Sequence, residues 1–583
     1  MNQPHRPRDP AAFVAGRSDA DSLADLVARL TADETLSPAR RRDLASSLRR
    51  IAQLLDRDLS ALPADLPGLR GAIGRINPAQ YGISRKTWSN IRSNTLAALR
   101  LYGSSSAPSR KSPLSDEWQA LQHRLPDKRF RNGLSRFTRF CSDQGIAPAS
   151  VDDAATTGFR RHLETDTFVP KPSAHLRRTC RLWNEAVETI SGWPGRTVPL
   201  PDNRKPRRRR ALSDLPASFQ QDLGAYLAMR ANPDPFDEAA PAKPLKPGTI
   251  RLQQEHVRVA ASALIGQEAP SERIRSLADL VEPNSFVAIL RRLLLDHGGK
   301  ANAWTEGIAK TLISIAKLWV RVDTDALNKL KVLQARLPKL QPGMTRKNRE
   351  TLRQFDDDGN LARLLSLPQQ QFAEALRVDP PTSKAAVQAQ IAFAIEFLLH
   401  CPLRAHNLVA LRLGTHLIRP AGNRGPVYLC LEPGEVKNDE PIDFELAPSV
   451  MKMLELYQCR FLPFLGGPDC RHLFCTTGGQ PKAQATLAQQ IQKTIAKRLG
   501  LVMTMHQFRH LAAKLHLDAD PDAYERLRQL LGHTSLRTTL NAYAKPDTRR
   551  AGKEHDRIIE ARRQDLADRT SHPRRRATLA RTQ

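Results

Sequence analysis

The chain has 583 residues, 40% of them hydrophobic, with Lys+Arg 90 against Asp+Glu 60, a formal net charge of +30 and a pI near 10.4. This is enough for several domains with real cores, which excludes a disordered chain, and the basic excess goes beyond the needs of solubility and predicts a polyanionic partner. No uninterrupted apolar stretch reaches the roughly 18 residues of a membrane span, and the seven cysteines form no C-x-x-C, so neither a membrane protein, a disulfide framework nor a zinc knuckle is indicated.

Residues 1–20, which begin MNQPHRPRDPAAFVAG, read as a flexible N-terminus without the apolar core of a signal peptide. The expectation is a soluble protein that stays inside the cell, cytoplasmic and, given its charge, associated with the nucleoid. Three stretches have linker chemistry: GSSSAPSRKSP (103–113), PLPDNRKPRRRRALSD (199–214) and PKLQPGMTRKNRE (338–350). Between them lie helical periodicities. Residues 21–102 form one helical module (LADLVARL, RRDLASSLRRIAQLL, KTWSNIRSNTLAALRLYG). Residues 114–198 form a second, a DNA-binding candidate (FRNGLSRFTRFCSDQG, AHLRRTCRLWNEAVETI), and 213–337 a third (GTIRLQQEHVRVAASALI, AWTEGIAKTLISIAKLW).

The three share a loose pattern of basic amphipathic helices, as in small bundles used more than once. Their Arg and Lys faces suit either a phosphate backbone or plain solvent. The run Arg207, Arg208, Arg209 and Arg210 is the better candidate for DNA binding, because adjacent arginines repel one another unless an anion neutralises them; a solvated basic linker is the alternative.

After residue 384 an apolar helix, AAVQAQIAFAIEFLLH, precedes a second helix opening near Arg404. Three strand-like runs come after it, THLIRP, PVYLCL and PIDFEL, separated by AGNRG and GEVKNDE. The fold class expected is mainly α with a small antiparallel sheet. A further strand LFCTT and three or four helices come next. Gly500 closes QQIQKTIAKRL, Asp520-Pro521 opens the next helix, and Gly532 stands just past RLRQLL.

Within this region HQFRH (506–510) places two histidines four apart on one helix face, with Thr504 and Gln507 as a capping-box pair. A metal site, an anion site and simple polar surface all suit that spacing. The zinc-protease pattern needs a Glu where Gln507 stands, and Arg509 puts a fixed positive charge beside any cation, so no metal is expected.

Over about 345–563 the chain resembles the tyrosine recombinases of phage-integrase type. The resemblance rests on CPLRAHNLVALRL with Arg404, EVKNDEPIDFEL with Lys437, MHQFRH with His506 and Arg509, LLGHTSLRTTLNAY with His533, and Tyr543 ten residues beyond that histidine. Pro402 and Asn407 depart from the Gly and Glu usual at those places. The resemblance implies a catalytic domain over 345–563, helical modules before it (213–337 being similar to a core-binding module) and a basic tail at 564–583. It implies double-stranded DNA as partner, a homo-tetramer on DNA with other recombinase subunits as further partners, and no cofactor.

Its implied chemistry gives Arg404 and Arg509 to the phosphate oxygens, Tyr543 to the attack, Lys437 to the leaving 5′-oxygen, His506 to the tyrosine proton and His533 to a nonbridging oxygen. His510 is read as packing behind them. KEHDRIIEARR is an amphipathic helix that in relatives docks on a neighbouring protomer, and here folding back in cis is equally open. Two other functions share these features: a DNA-binding architectural partner without chemistry, and a relaxase resembling type IB topoisomerases.

Overall fold

Ser22 shows how the chain starts its helices: Ser22 N donates to Asp25 Oδ2 at 2.8 Å and Asp25 N to Ser22 Oγ at 3.3 Å, a reciprocal cap at the head of α1 (Leu23–Ala32). The structure, a computed structural model, describes residues 21–102, 113–201, 209–237, 241, 243–266, 274–339, 343–420, 422, 425–437, 439–543 and 548–571, with 541–543, 548–554 and 568–571 described by their backbone. Residues 1–20, Arg207, Arg208 and everything beyond 571 lie outside the described residues. Two compact units emerge, one built from Met1–Pro201 and Gly343–Gln583, the other from Asp202–Pro342.

The first unit contains three large cores and one small cluster, Ala513, Leu527 and Leu531. In the first, α1, α2 (Pro38–Leu55), α3 (Leu66–Ile73) and α4 (Arg85–Tyr102) enclose Leu26, Leu48, Ile51, Leu69 and Leu99. In the second, α5 (Asp116–His123), α6 (Lys128–Asp143), α7 (Asp153–Thr165) and α8 (Pro172–Thr189) close over Trp118, Phe137, Phe159 and Trp183. These four aromatics are fully buried, each contributing about 1.5–3 kcal/mol by area alone. Phe168, in the loop between α7 and α8, is buried in the first bundle's core. It joins the two bundles.

The second unit, by itself, packs α9 (Ala217–Ala231), α10 (Pro247–Ile265), α11 (Ala278–Val281), α12 (Pro283–Asp296), α13 (Ala303–Ile315) and α14 (Thr324–Ala335) around Phe219, Tyr226, Phe286 and Leu312. Arg210 belongs to this bundle: its Nε donates to Gly266 O at 3.0 Å and its carbonyl accepts from Arg258 Nη1 at 2.6 Å. That end of the arginine run is engaged internally.

The third core of the first unit is the largest. It opens with α15 (Arg346–Leu352) and α16 (Asp358–Leu376), and its centre is α17 (Ser383–His400), mostly apolar and buried on nearly every side from Ala385 to Leu398, with Gln390 and Glu396 buried among the apolar residues. The short α18 (Ala405–Ala410) then leads into β1 (Leu417–Ile418), β2 (Tyr428–Leu431) and β3 (Ile442–Glu445), an antiparallel sheet in the order β1-β2-β3 with Leu417 opposite Leu429 and Leu431 opposite Ile442. α19 (Pro448–Arg460), α20 (Leu462–Gly466), α21 (Gln484–Leu499), α22 (Met505–Ala519), α23 (Tyr524–Leu531), α24 (Leu536–Tyr543) and α25 (Thr548–Ser571) complete it.

Gly500 and Gly532 close α21 and α23 at φ +76° and +55°, the left-handed caps expected of them. Two expectations change. LFCTT is not a strand: Leu473, Phe474 and Cys475 are buried, but only His472 and Cys475 form isolated bridges, because Leu473 N bonds to Leu411 O and the chain turns away at once. Asp520 ends α22 and caps a turn, accepting from Asp522 N at 3.0 Å, so that the next helix begins only at Tyr524. No helix among the described residues is long and apolar enough to cross a membrane.

The first bundle also docks on the third core. Asn77 Nδ2 donates to Ala496 O at 3.1 Å, Gln80 Nε2 to Gly500 O at 3.0 Å, and Arg363 Nη1 to Ala79 O at 3.2 Å. A Cβ at Gly500 would come within 2.8 Å of Gln80 N, so this glycine serves both the helix end and the close approach.

Candidate active site

The buried segment Cys401–Leu403 carries the chain out of α17 and leaves Arg404 as the N-cap residue of α18, with extended backbone (φ −66°, ψ 145°). Its guanidinium is half-buried and has no hydrogen bond or carboxylate partner among the described residues, and burial alone pulls its pKa below the ordinary value. A permanent charge held half out of water without a counter-charge is poised for an anion.

Arg509, on α22, is held differently. It is 3% exposed, and its Nη1 donates to Pro402 O at 2.8 Å and its Nη2 to Leu531 O at 2.7 Å. It ties the segment that positions Arg404 to the end of α23. Pro402, one of the two departures from the family pattern, supplies the carbonyl that orients this guanidinium. Asn407, the other, is buried and directs Nδ2 at Glu435 O, 3.4 Å away, on the loop that carries Lys437. That loop's other anchor is His416, whose Nε2 lies 2.8 Å from Glu435 Oε1. Lys437 itself is exposed on the turn between β2 and β3, and Ile442 at the head of β3 lies against Gly532, the residue before His533.

His533 is 9% exposed. Its Nε2 lies 3.4 Å from Arg509 Nη2, which can only donate, so Nε2 accepts and Nδ1–H faces Thr539 Oγ1 at 2.9 Å. Burial first, then Arg509, Arg404 and Arg528, push its pKa down to about 4. His506 shows an edge to solvent, yet crowding and then the charges of Arg509 and Arg404 lower its pKa as well. Both imidazoles are therefore neutral near pH 7, and both lie within the fields of the same two arginines.

His510 packs edge-on against His506, ring centres 4.8 Å apart, and its Nε2 lies 3.2 Å from Asn348 Nδ2 on α15. Burial, then His506 and Arg509, push it down to about 4. It backs His506 and does not join it as a ligand pair. Among the described residues no group of three His, Cys, Asp or Glu side chains could hold a metal ion.

Tyr543 is described by its backbone, as the last residue of α24. Thus Arg404, Arg509, His506 and His533 are brought together, Lys437 stands on the adjoining hairpin, and Tyr543 ends the helix that begins three residues after His533. Of the four arginines at 207–210, Arg209 and Arg210 are described, and Arg210 bonds within the second unit. Sequence reading missed Thr539 and Asn348, which orient His533 and His510. Thr539 lies in the polar run RTTLN, and its complete burial against His533 is visible only in the folded chain.

The family model described as the phage integrase family matches residues 367–550. Comparison with curated proteins gives no match. Among solved structures, the chain is similar to the XerH site-specific recombinase bound to a palindromic difH substrate (17% identity, 54% of this chain and 80% of that chain, TM-score 0.36). It is similar as well to a lambda integrase tetramer bound to a Holliday junction (17% identity, 56% and 78%, TM-score 0.34) and to a lambda integrase dimer, residues 75–356, bound to a COC' core site (16% identity, 55% and 93%, TM-score 0.34).

Proposed function

Residues 367–550 are a phage integrase family domain, and from that premise we propose that the chain is a site-specific DNA recombinase that cuts and rejoins strands through a 3′-phosphotyrosine intermediate. The observation that carries this reading is the convergence on two neutral histidines of two arginines, one of them without a counter-charge among the described residues. Planar guanidiniums match the nonbridging oxygens of a phosphodiester in pairs and stabilise the charge that builds on them.

In this reading Tyr543 Oη attacks the scissile phosphorus, its proton passing to His506. The P–O5′ bond breaks, Lys437 protonates the leaving 5′-oxygen, and the phosphotyrosine ester keeps the bond energy until a second 5′-hydroxyl reverses the step. The arriving phosphate offsets the arginine charges and restores basicity to His533, which then donates to a nonbridging oxygen. Action as a tetramer on DNA, mobile-element context and residence at the nucleoid belong to the same proposal.

The test uses nicked suicide duplexes tiled across the DNA flanking the coding sequence, in which the 5′ fragment diffuses away after cleavage. The wild-type chain should give an SDS-stable, protease-sensitive adduct, equally well in excess EDTA, since fixed charges supply the stabilisation a cation would give. Duplex binding without any adduct would favour the architectural reading. Relaxation of supercoiled plasmid of any sequence would favour the topoisomerase-like one.

Lys437 has a separate signature. Lys437→Ala should slow cleavage of the normal phosphodiester by about 10²–10⁴-fold, the usual worth of a placed general acid. It should slow a 5′-phosphorothiolate, whose sulfur leaves without a proton, by less than about tenfold. Equal losses on both substrates would remove Lys437 from that role.

A further inference from the structure

The seam between the first two bundles of the larger unit carries an unusual charge arrangement. α4 brings Arg92 and Arg100 to it, α6 brings Arg136 and Arg139, and α8 brings His175. Arg136 lies within electrostatic reach of Arg92, Arg100 and His175, and depresses the basicity of all three beyond what burial does. The Nε atoms of Arg92, Arg100 and Arg139 and Nε2 of His175 are buried without a hydrogen-bond partner. Neither Arg92 nor Arg100 makes a hydrogen bond from its guanidinium among the described residues. Arg92 only rests over the Phe168 ring, 6.0 Å from its centre.

The nearby carboxylates Asp166 and Asp143 offset the crowding at Arg100 in part, without a hydrogen bond to it among the described residues. Asp166 is engaged by His162 Nδ1 at 3.2 Å and Glu164 by Arg160 Nε at 3.1 Å. Asp143 faces Arg100 and Arg139, with its pKa raised by burial, and forms no ion pair with either among the described residues. Arg70, the remaining cation, is spent on backbone: Nη2 donates to Leu163 O at 2.8 Å and to Val169 O at 3.3 Å, and Nη1 to Thr167 O. It fixes the loop that forms the seam's floor. Half-buried like charges such as Arg92 and Arg100 cost stability unless something anionic joins them. The floor is built as though to hold them in place for it.

We propose that this seam is a second phosphate site, separate from the one at Arg404 and Arg509, and that it takes a backbone phosphate of the duplex the protein acts upon. The proposal rests on the recombinase reading for the identity of its ligand. The guanidiniums of Arg92 and Arg100 offer the phosphate their outer Nη edges, with Arg136 adding charge from α6. A phosphodiester suits the site better than a carboxylate, since three cations on two helices can share its two nonbridging oxygens. Such a contact lends register and affinity to binding and no base preference.

The test compares full-length wild type with Arg92→Gln/Arg100→Gln, measuring duplex affinity against salt. Each phosphate that the variant leaves unneutralised should make the slope of log K against log salt shallower by about 0.9. On a fourfold rise in salt the variant would then lose ~3.5-fold less affinity than wild type for each such phosphate. Binding at low salt should weaken alike on all sequences. The melting temperature of the protein without DNA should not fall, because like charges have been removed. Arg92→Lys/Arg100→Lys should keep the wild-type slope.

A slope unchanged in the Gln variant overturns the site, as does an equally shallow slope in the Lys variant, which would mark a structural role. Covalent capture on the nicked duplex at saturating protein separates the seam site from the recombinase reading beneath it. If wild type forms adduct and only the slope fails to move, the seam site alone falls; if wild type neither binds nor forms adduct, both fall.

Discussion

Tyr543→Phe should give no covalent DNA adduct under conditions in which wild type is captured fully, while duplex affinity stays within about twofold. One oxygen is removed from the end of α24, and the hydroxyls of three of the other six tyrosines are engaged elsewhere. Tyr457 is completely buried, its hydroxyl donating to Leu473 O at 3.0 Å and accepting from Gln390 Nε2 at 2.9 Å, and burial drives its pKa far upward. Tyr102 is bonded to Asp33, and Tyr226 to Gln253 at 3.0 Å. Tyr81 lies in the first bundle, Tyr428 on β2 and Tyr524 at the head of α23. The readout is the slow-migrating band on a denaturing gel of a nicked, end-labelled duplex. A band of wild-type intensity from the Phe variant would transfer the nucleophile to Tyr524 or Tyr428 and undo the assignment.

Arg404→Ala and Arg509→Ala should separate two effects that the charge alone would make identical. In the proposed mechanism both remove a guanidinium from the phosphate oxygens, and each should slow single-turnover cleavage by at least about 10²–10³-fold, the loss seen when one preorganised donor to a developing oxyanion is removed. Only Arg509→Ala should also destabilise the fold. It abandons the Pro402 and Leu531 carbonyls in a buried setting, at about 1–3 kcal/mol for each. Arg404 makes no such bond among the described residues, and relieving its partial desolvation should leave the melting temperature unchanged or raised. Measuring adduct formation and thermal unfolding on both variants decides the matter. Equal destabilisation by the two, or cleavage within tenfold of wild type for Arg404→Ala, would contradict the roles assigned.

What the sequence makes legible is what local chemistry fixes. The cap of α22 is readable in Thr504 and Gln507, and Gln507 Oε1 accepts from Thr504 N at 2.6 Å. Gly500 and Gly532 announce helix ends, and the order of Arg404, Lys437, His506, Arg509, His533 and Tyr543 is readable because most of them stand near a punctuated end: Arg404 caps α18, His506 and Arg509 lie in the first two turns of α22, and Tyr543 ends α24. Contacts between elements are not readable in the same way. Nothing in PLRAHN says that the Pro402 carbonyl will orient an arginine 107 residues away. Arg92, Arg100 and Arg136 look like ordinary solvated positions of basic helices, and only the packed bundles bring Arg92 under the Phe168 ring and Arg136 within reach of Arg92 and Arg100. The expected amphipathic helix KEHDRIIEARR is longer than its pattern, spanning Thr548–Ser571 and so taking in the first part of the expected basic tail. Ile558 and Ile559 are 59% and 39% exposed, so the described residues do not cover this apolar face in cis.

The docking of Asn77 and Gln80 on the end of α21 joins positions 419 and 420 residues apart. On a ribosome adding ~5–20 residues per second, the first bundle waits about 20–80 s between its own emergence and that of the helix it will hold. Through that interval the docking surface faces water. A seam made of amide and guanidinium groups bonding to carbonyls stays hydrated at little cost while it waits, where an apolar one would invite association between nascent chains. The polar character of this joint therefore suits a protein whose larger unit is assembled from its two ends, with 141 residues of another bundle translated in between.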